Sequence, residues 1–130
     1  MTGSSPPSRA RARPKPKPGA NKTEEAFGDY LEMEFRKGNI AWFVWQRIKL
    51  TLGDDCTYLP DFVAVTASGE IVFYEVKGAK LTPKTKKVVP YARDDAKVKI
   101  KVAAEMYWWA RFIIAFRYKG KWEFTEVKPA

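Results

Sequence analysis

The sequence predicts one α/β domain of the mixed, α+β kind, in the order helix, three strands, helix, two strands (αβββαββ). Three observations carry this. Apolar residues recur at helical spacing near the start and again after Asp94. Five apolar or alternating runs, at 43–52, 58–66, 70–77, 111–118 and 122–127, read as strands. Turn residues separate them, and 130 residues with 45% hydrophobic content suit a single packed core.

The first helix starts near Asn21 or Thr23. Ala26, Phe27, Tyr30, Leu31 and Phe35 form its apolar stripe, and Gly38 suits its end. In 43–52, Val44, Ile48, Leu50 and Leu52 fall on alternate positions, and Gly53-Asp54-Asp55 is a turn. The segments 58–66 and 70–77 read as a hairpin. The basic connection 78–93 contains Pro83, Pro90, Lys80, Lys84, Lys86, Lys87 and Arg93. Asp94 or Asp95 then caps a second helix to about Tyr107, with Ala96, Ile100, Ala103, Ala104 and Tyr107 on its apolar face. Strand 111–118, the tight turn Lys119-Gly120 and strand 122–127 close the domain.

Residues 1–21 have a different composition from this domain at 22–130. They hold Arg9, Arg11, Arg13, Lys15 and Lys17, no acid and five of the nine prolines. Such a segment buries too little apolar surface to fold alone, so a disordered basic tail is expected. The chain has 24 Lys+Arg and 15 Asp+Glu, a net charge of +9, of which the tail carries +5. Phosphates reward this balance by counterion release, so a nucleic-acid partner fits, and the tail reads as a backbone-holding arm. The bland alternative is a basic surface and tail that only aid solubility.

Chemistry is narrowed by what is missing. The chain has no histidine, which excludes Ser-His-Asp and Cys-His catalysis and disfavours structural zinc. Cys56, the single cysteine, follows Asp54 and Asp55, a setting unfavourable to a thiolate, and it reads as structural. One thiol forms no internal disulfide, so a reducing, cytoplasmic compartment is the simplest expectation. No apolar run is long enough to span a bilayer, so no membrane partner is expected.

The hairpin carries the site. A three-residue loop Ala67-Ser68-Gly69, with Gly69 left-handed, puts Thr66 opposite Glu70. Counting back, Asp61 lies opposite Glu75, with Cβ atoms about 4.5–5.5 Å apart. Lys77 projects from the same face, with Leu59, Val63, Val65, Ile71 and Phe73. Phe62, Ala64, Val72, Tyr74 and Val76 take the other face. Paired carboxylates at the end of a buried sheet are destabilising unless a positive charge joins them, and a hard divalent cation such as Mg²⁺ suits oxygen ligands. The Val76 carbonyl is a candidate further ligand, and Lys77 is placed to act on an attacking water. Alternatively, Asp61 is an ordinary strand-start acid and Glu75–Lys77 an ordinary ion pair.

Pro60-Asp61, thirteen residues and then Glu75-Val76-Lys77 match the PD…(D/E)XK pattern. With 21–24, 58–62, 74–78 and 94–107 in this order, the chain resembles PD-(D/E)XK superfamily nucleases. More closely, it resembles a family of small phage and prophage proteins in that superfamily, grouped near phage Holliday-junction resolvases. The resemblance spans about 21–127. It implies a restriction-endonuclease-like core and Mg²⁺- or Mn²⁺-dependent hydrolysis of DNA. Asp61 and Glu75 would bind metal, Lys77 would act on the water, and a first-helix acid, Glu24 with Glu25 as fallback, would join them.

Both helix acids are also good first-turn residues in their own right. The implied setting is a phage-infected or prophage-carrying host. Branched or duplex DNA is the implied substrate, and a homodimer is expected of a resolvase. On the second helix, Lys97, Lys99 and Lys101 either reach DNA phosphate or the site, or form a solvated face with Asp95–Lys99 pairing. A non-catalytic DNA-binding module on the same core is the competing function. The 78–93 segment and Trp108-Trp109, where the family pattern has a proline, depart from the resemblance.

Overall fold

A computed structural model describes residues 21–81, 88–90 and 94–129; side chains at 79–81, 88–90 and 94–96 lie outside that description. The elements are α1 (Lys22–Lys37), β1 (Ile40–Trp45), β2 (Leu50–Gly53), β3 (Cys56–Tyr58), β4 (Phe62–Thr66), β5 (Ile71–Lys77), β6 (Ala79–Leu81), β7 (Val88–Pro90), α2 (Asp94–Met106), β8 (Arg111–Tyr118) and β9 (Lys121–Glu126). The main sheet has the order β1-β4-β5-β8-β9. β5 and β8 run parallel, and the other neighbours are antiparallel. The fold is therefore α+β on a mixed sheet, in the expected αβββαββ order once two small hairpins are set aside.

The Asn21 side chain accepts the Glu24 N–H at 2.7 Å and caps α1. At the other end Gly38 takes φ 87° and donates its N–H to the carbonyls of Glu34 and Phe35, a left-handed stop that a Cβ would strain. The stripe of α1 lies on one face of the sheet. Phe27 and Leu31 pack there with Phe62, Ala64, Val72 and Tyr74. Phe27 is fully buried, with ring contacts of 5.0 Å to Tyr74 and 4.9 Å to Trp122. Its truncation to Ala would cost about 3–5 kcal/mol. On the opposite face Ile100, Ala103 and Ala104 of α2 cover Val63, Phe73, Phe112 and Ile114. Central strands covered on both faces carry continuous apolar runs, as β4, β5 and β8 do.

Four sequence expectations are corrected. The single strand at 43–52 is two strands. Gln46, at φ 44°, turns the chain and donates its N–H to the Asp61 carbonyl at 2.9 Å. The alternation still marks one face, since Val44 and Leu50 share a core, but it is blind to the bend. The run 58–66 is also split: Pro60 has no N–H for a ladder, so Tyr58 belongs to β3, paired with β2. Leu59, in the break, is 39% exposed and joins neither core. The connection 78–93 contains a hairpin, with Ala79 opposite Pro90. Finally, α2 already includes Asp94, so Asp94 and Asp95 are first-turn residues rather than caps.

The hairpin register is as the loop predicts. Phe62 pairs with Tyr74 and Val65 with Ile71, Gly69 takes φ 93°, and Thr66 N–H meets the Glu70 carbonyl at 2.9 Å.

Candidate active site

Asp61 stands one residue before β4, which in this register places it opposite Glu75. Its carbonyl is held by Gln46 on one side. Its Oδ2 accepts the Val76 N–H at 2.8 Å on the other. The acid thus fastens the ends of β1 and β5 together. Glu75 is gripped at both oxygens: Oε1 accepts the Tyr58 hydroxyl at 2.7 Å, and Oε2 lies 3.0 Å from Lys77 Nζ.

Glu24, in the first turn of α1, is near enough for its carboxyl to act on that of Asp61. Glu25, one residue on, is exposed. The structure therefore brings together Glu24, Asp61, Glu75 and Lys77. Among the described residues, Glu24, Asp61 and Glu75 are the buried charged side chains, each 9% exposed.

Electrostatics follow from this crowding. Burial, then the Glu75 charge, then the Glu24 contact push the Asp61 carboxyl up to about 8; the Val76 N–H pulls the other way. Burial and the adjacent Glu75 likewise raise the Tyr58 hydroxyl, keeping it a donor.

Three buried acids with one paired ammonium leave negative charge that oxygen-seeking divalent cations are suited to neutralise, so the donor set fits Mg²⁺ or Mn²⁺. Among the described residues, however, no three such side chains are already arranged to hold a metal ion. At Val76 the contact seen to the cluster is made by the N–H.

Tyr58 is the site residue that sequence reading missed. Pro60 interrupts the strand register that would have linked Tyr58 to Glu75, leaving no pairing signal. The lysines divide by position. Lys99 Nζ bonds the Thr57 carbonyl at 3.1 Å, next to Tyr58, rather than the acids. Lys97 and Lys101 are exposed on α2. Lys80 falls on β6. Arg9, Arg11, Arg13, Lys15, Lys17, Lys84, Lys86, Lys87 and Arg93 lie outside the described residues. No helix among the described residues is long and apolar enough to cross a membrane.

Fold and site together define an α+β protein with a buried carboxylate cluster and one lysine at the strand ends of a mixed sheet. No family model and no curated protein matches the chain. Among solved structures, it is similar to Hjc of Archaeoglobus fulgidus, a Holliday junction resolvase from an archaeal hyperthermophile. Identity there is 23% and the TM-score 0.48, over 78% of this chain and 70% of that one. A second solved protein, SSO0001, is 15% identical with a TM-score of 0.38, over 80% of this chain and 52% of that one. At these scores the likeness stops at a general similarity of shape.

Proposed function

We propose that this chain is a divalent-metal-dependent endodeoxyribonuclease, taking Mg²⁺ or Mn²⁺ and hydrolysing phosphodiester bonds of branched or duplex DNA. The observation that carries the reading is the concentration of buried charge: Glu24, Asp61 and Glu75 gather from α1, the entry to β4, and β5, with Lys77 paired to Glu75. Structural acids are rarely buried in threes without matching cations. When bound, a divalent ion supplies Lewis acidity toward the scissile phosphate.

The chain's own groups do the rest. Asp61 and Glu75, with Glu24 and the Val76 carbonyl, form the ligand set. Lys77 Nζ orients the attacking water and offsets charge on the phosphate. Tyr58 fixes the Glu75 carboxylate in one rotamer. The PD…EVK pattern and its flanking segments extend the reading to a structure-selective enzyme of phage type, a resolvase acting in the cytoplasm of an infected or prophage-carrying host. A resolvase cuts two strands symmetrically and so acts as a homodimer. Val98, Val102 and Met106, spaced along one exposed line of α2, and Trp108 and Trp109 beyond it, offer apolar surface for that interface.

A second reading, a non-catalytic DNA-binding module, draws on one observation: both Glu75 oxygens are already engaged, by Tyr58 and Lys77. One experiment separates the two. Labelled four-way junction and matched linear duplex are incubated with wild type or Asp61→Asn, in Mg²⁺ or EDTA. Metal-dependent cutting of the junction that is lost in the variant is the expected result. Equal cutting of both DNAs keeps the nuclease and drops the resolvase. DNA that is bound and never cut moves the protein to the second reading.

A further inference from the structure

Beside the acidic cluster, on the same face of the sheet, lies a groove of about 420 Å³ between α2 and β9. Ile100, Ile114 and Val127 form its apolar floor, and Lys97, Lys101 and Lys128 stand at its rim. The nearby acid, Glu126, is already held by Arg111 through two hydrogen bonds of 3.2 and 3.1 Å. The rim therefore presents unbalanced positive charge over an apolar floor.

Its position is fixed by register. Ile114 is the β8 partner of Glu75 in the parallel ladder, and Thr125 is the β9 partner of Ile114. Partners in adjacent strands project from one face, as the stacked Phe73 and Phe112 rings, 4.9 Å apart, illustrate two pairs earlier. Glu75, Ile114 and Thr125 thus form a row across three strands. With strands about 4.8 Å apart, the groove centre lies within about 10 Å of Glu75.

We infer that this groove is a subsite for an unpaired nucleotide of the substrate strand. The inference rests on the nuclease reading for the identity of the strand. The base lies on the aliphatic floor, and its flanking phosphates meet Lys97, Lys101 and Lys128. A volume of this size admits one nucleotide and not a duplex. An apolar floor rewards only a base released from its stack, because a paired base keeps its faces covered. The groove therefore selects DNA with unpaired nucleotides near the cut, such as branches, gaps and flaps, over continuous duplex.

The test is binding by fluorescence anisotropy in EDTA, so that nothing is cut. A duplex with a short single-stranded gap is compared with a fully paired duplex of equal length. The proteins are wild type, Thr125→Trp, which fills the groove from an exposed position, and Lys101→Gln, an exposed change that leaves the core untouched. Wild type is expected to prefer the gapped DNA by about tenfold, and both variants to lose most of that preference. A wild type without preference, or variants that keep it, overturns the subsite. So does sedimentation showing that Thr125→Trp turns a dimer into a monomer, because the groove then seats a second copy of the chain.

Parallel cleavage assays in Mg²⁺ separate the two readings. A wild type that cuts DNA with no groove-dependent preference loses the subsite and keeps the nuclease. One with the preference that cuts nothing loses the nuclease and keeps the subsite.

Discussion

The Asp61 carboxylate accepts the backbone N–H of Val76 at 2.8 Å, a bond between the residue entering one strand and the residue after Glu75 on the next. It ties the position of one candidate ligand to the backbone that carries the other. The pair is therefore preorganised by the sheet rather than by flexible side chains, as a metal site that must hold its geometry requires. It also keeps a carboxyl in a place where its charge is costly.

That cost predicts the behaviour of Asp61→Asn. The amide oxygen can still accept the Val76 N–H, while the charge beside Glu75 and Glu24 disappears. Metal-free Asp61→Asn should be more stable than wild type by about 1–3 kcal/mol at pH 8, and inactive in cleavage. The wild-type carboxyl binds its proton more tightly folded, at about 8, than unfolded, at 3.8. Metal-free wild type should therefore lose stability as pH rises from about 4 to 8, and Asp61→Asn should lose less. Thermal melts in EDTA across that range check both statements. Parallel pH profiles would remove Asp61 as the cause.

Lys77 tests the chemistry apart from the fold. Its side chain is partly exposed and its pairing with Glu75 is at the rim of the sheet. Lys77→Ala should abolish cleavage, by about two orders of magnitude or more, while melting temperature and DNA affinity change little. Normal cleavage by this variant would take Lys77 out of the mechanism.

How much of this was legible depended on which contacts are periodic. The facing of Asp61 and Glu75 follows from one loop, because Gly69 fixes a register that runs unbroken through four pairs, from Val65–Ile71 to Phe62–Tyr74. The two cores were legible for the same reason: Phe62, Ala64 and Val72 alternate with Val63 and Phe73. Contacts that depend on a bend were not. Gln46 and Pro60 each redirect the chain without disturbing the apolar pattern, so in the sequence β2 and β3 look like extensions of their neighbours. The β6–β7 pair was hidden by a lysine-rich, proline-containing sequence whose short strands bond mainly to each other. Glu24 against Glu25 needed the helix to be docked, since both suit a first turn.

Tyr58 accordingly carries its own prediction. Its hydroxyl donates to Glu75 from a buried position, and Lys99 steadies the same short strand through the Thr57 carbonyl. Tyr58→Phe removes the donor and keeps the ring. Cleavage should fall by about tenfold, because Glu75 is left with Lys77 as its only named partner and samples other rotamers. The apparent Mg²⁺ requirement should shift by a similar factor. An unchanged metal titration with reduced activity would mean that Tyr58 acts on DNA rather than on Glu75.

The basic tail is tested by salt. Its five cations, Arg9, Arg11, Arg13, Lys15 and Lys17, equal more than half of the chain's net charge of +9. Each phosphate contact they make releases condensed counterions, so a tail that binds DNA steepens the fall of affinity with salt. Deleting residues 1–20 should weaken binding most at low salt and flatten the slope of log affinity against log salt by up to about 4. Cleavage of bound DNA should persist, since Glu24, Asp61, Glu75 and Lys77 all lie in the folded domain. A slope that does not move on deletion makes the tail a bystander and leaves DNA contact to the lysines of the domain, where Lys97 and Lys101 would then carry it.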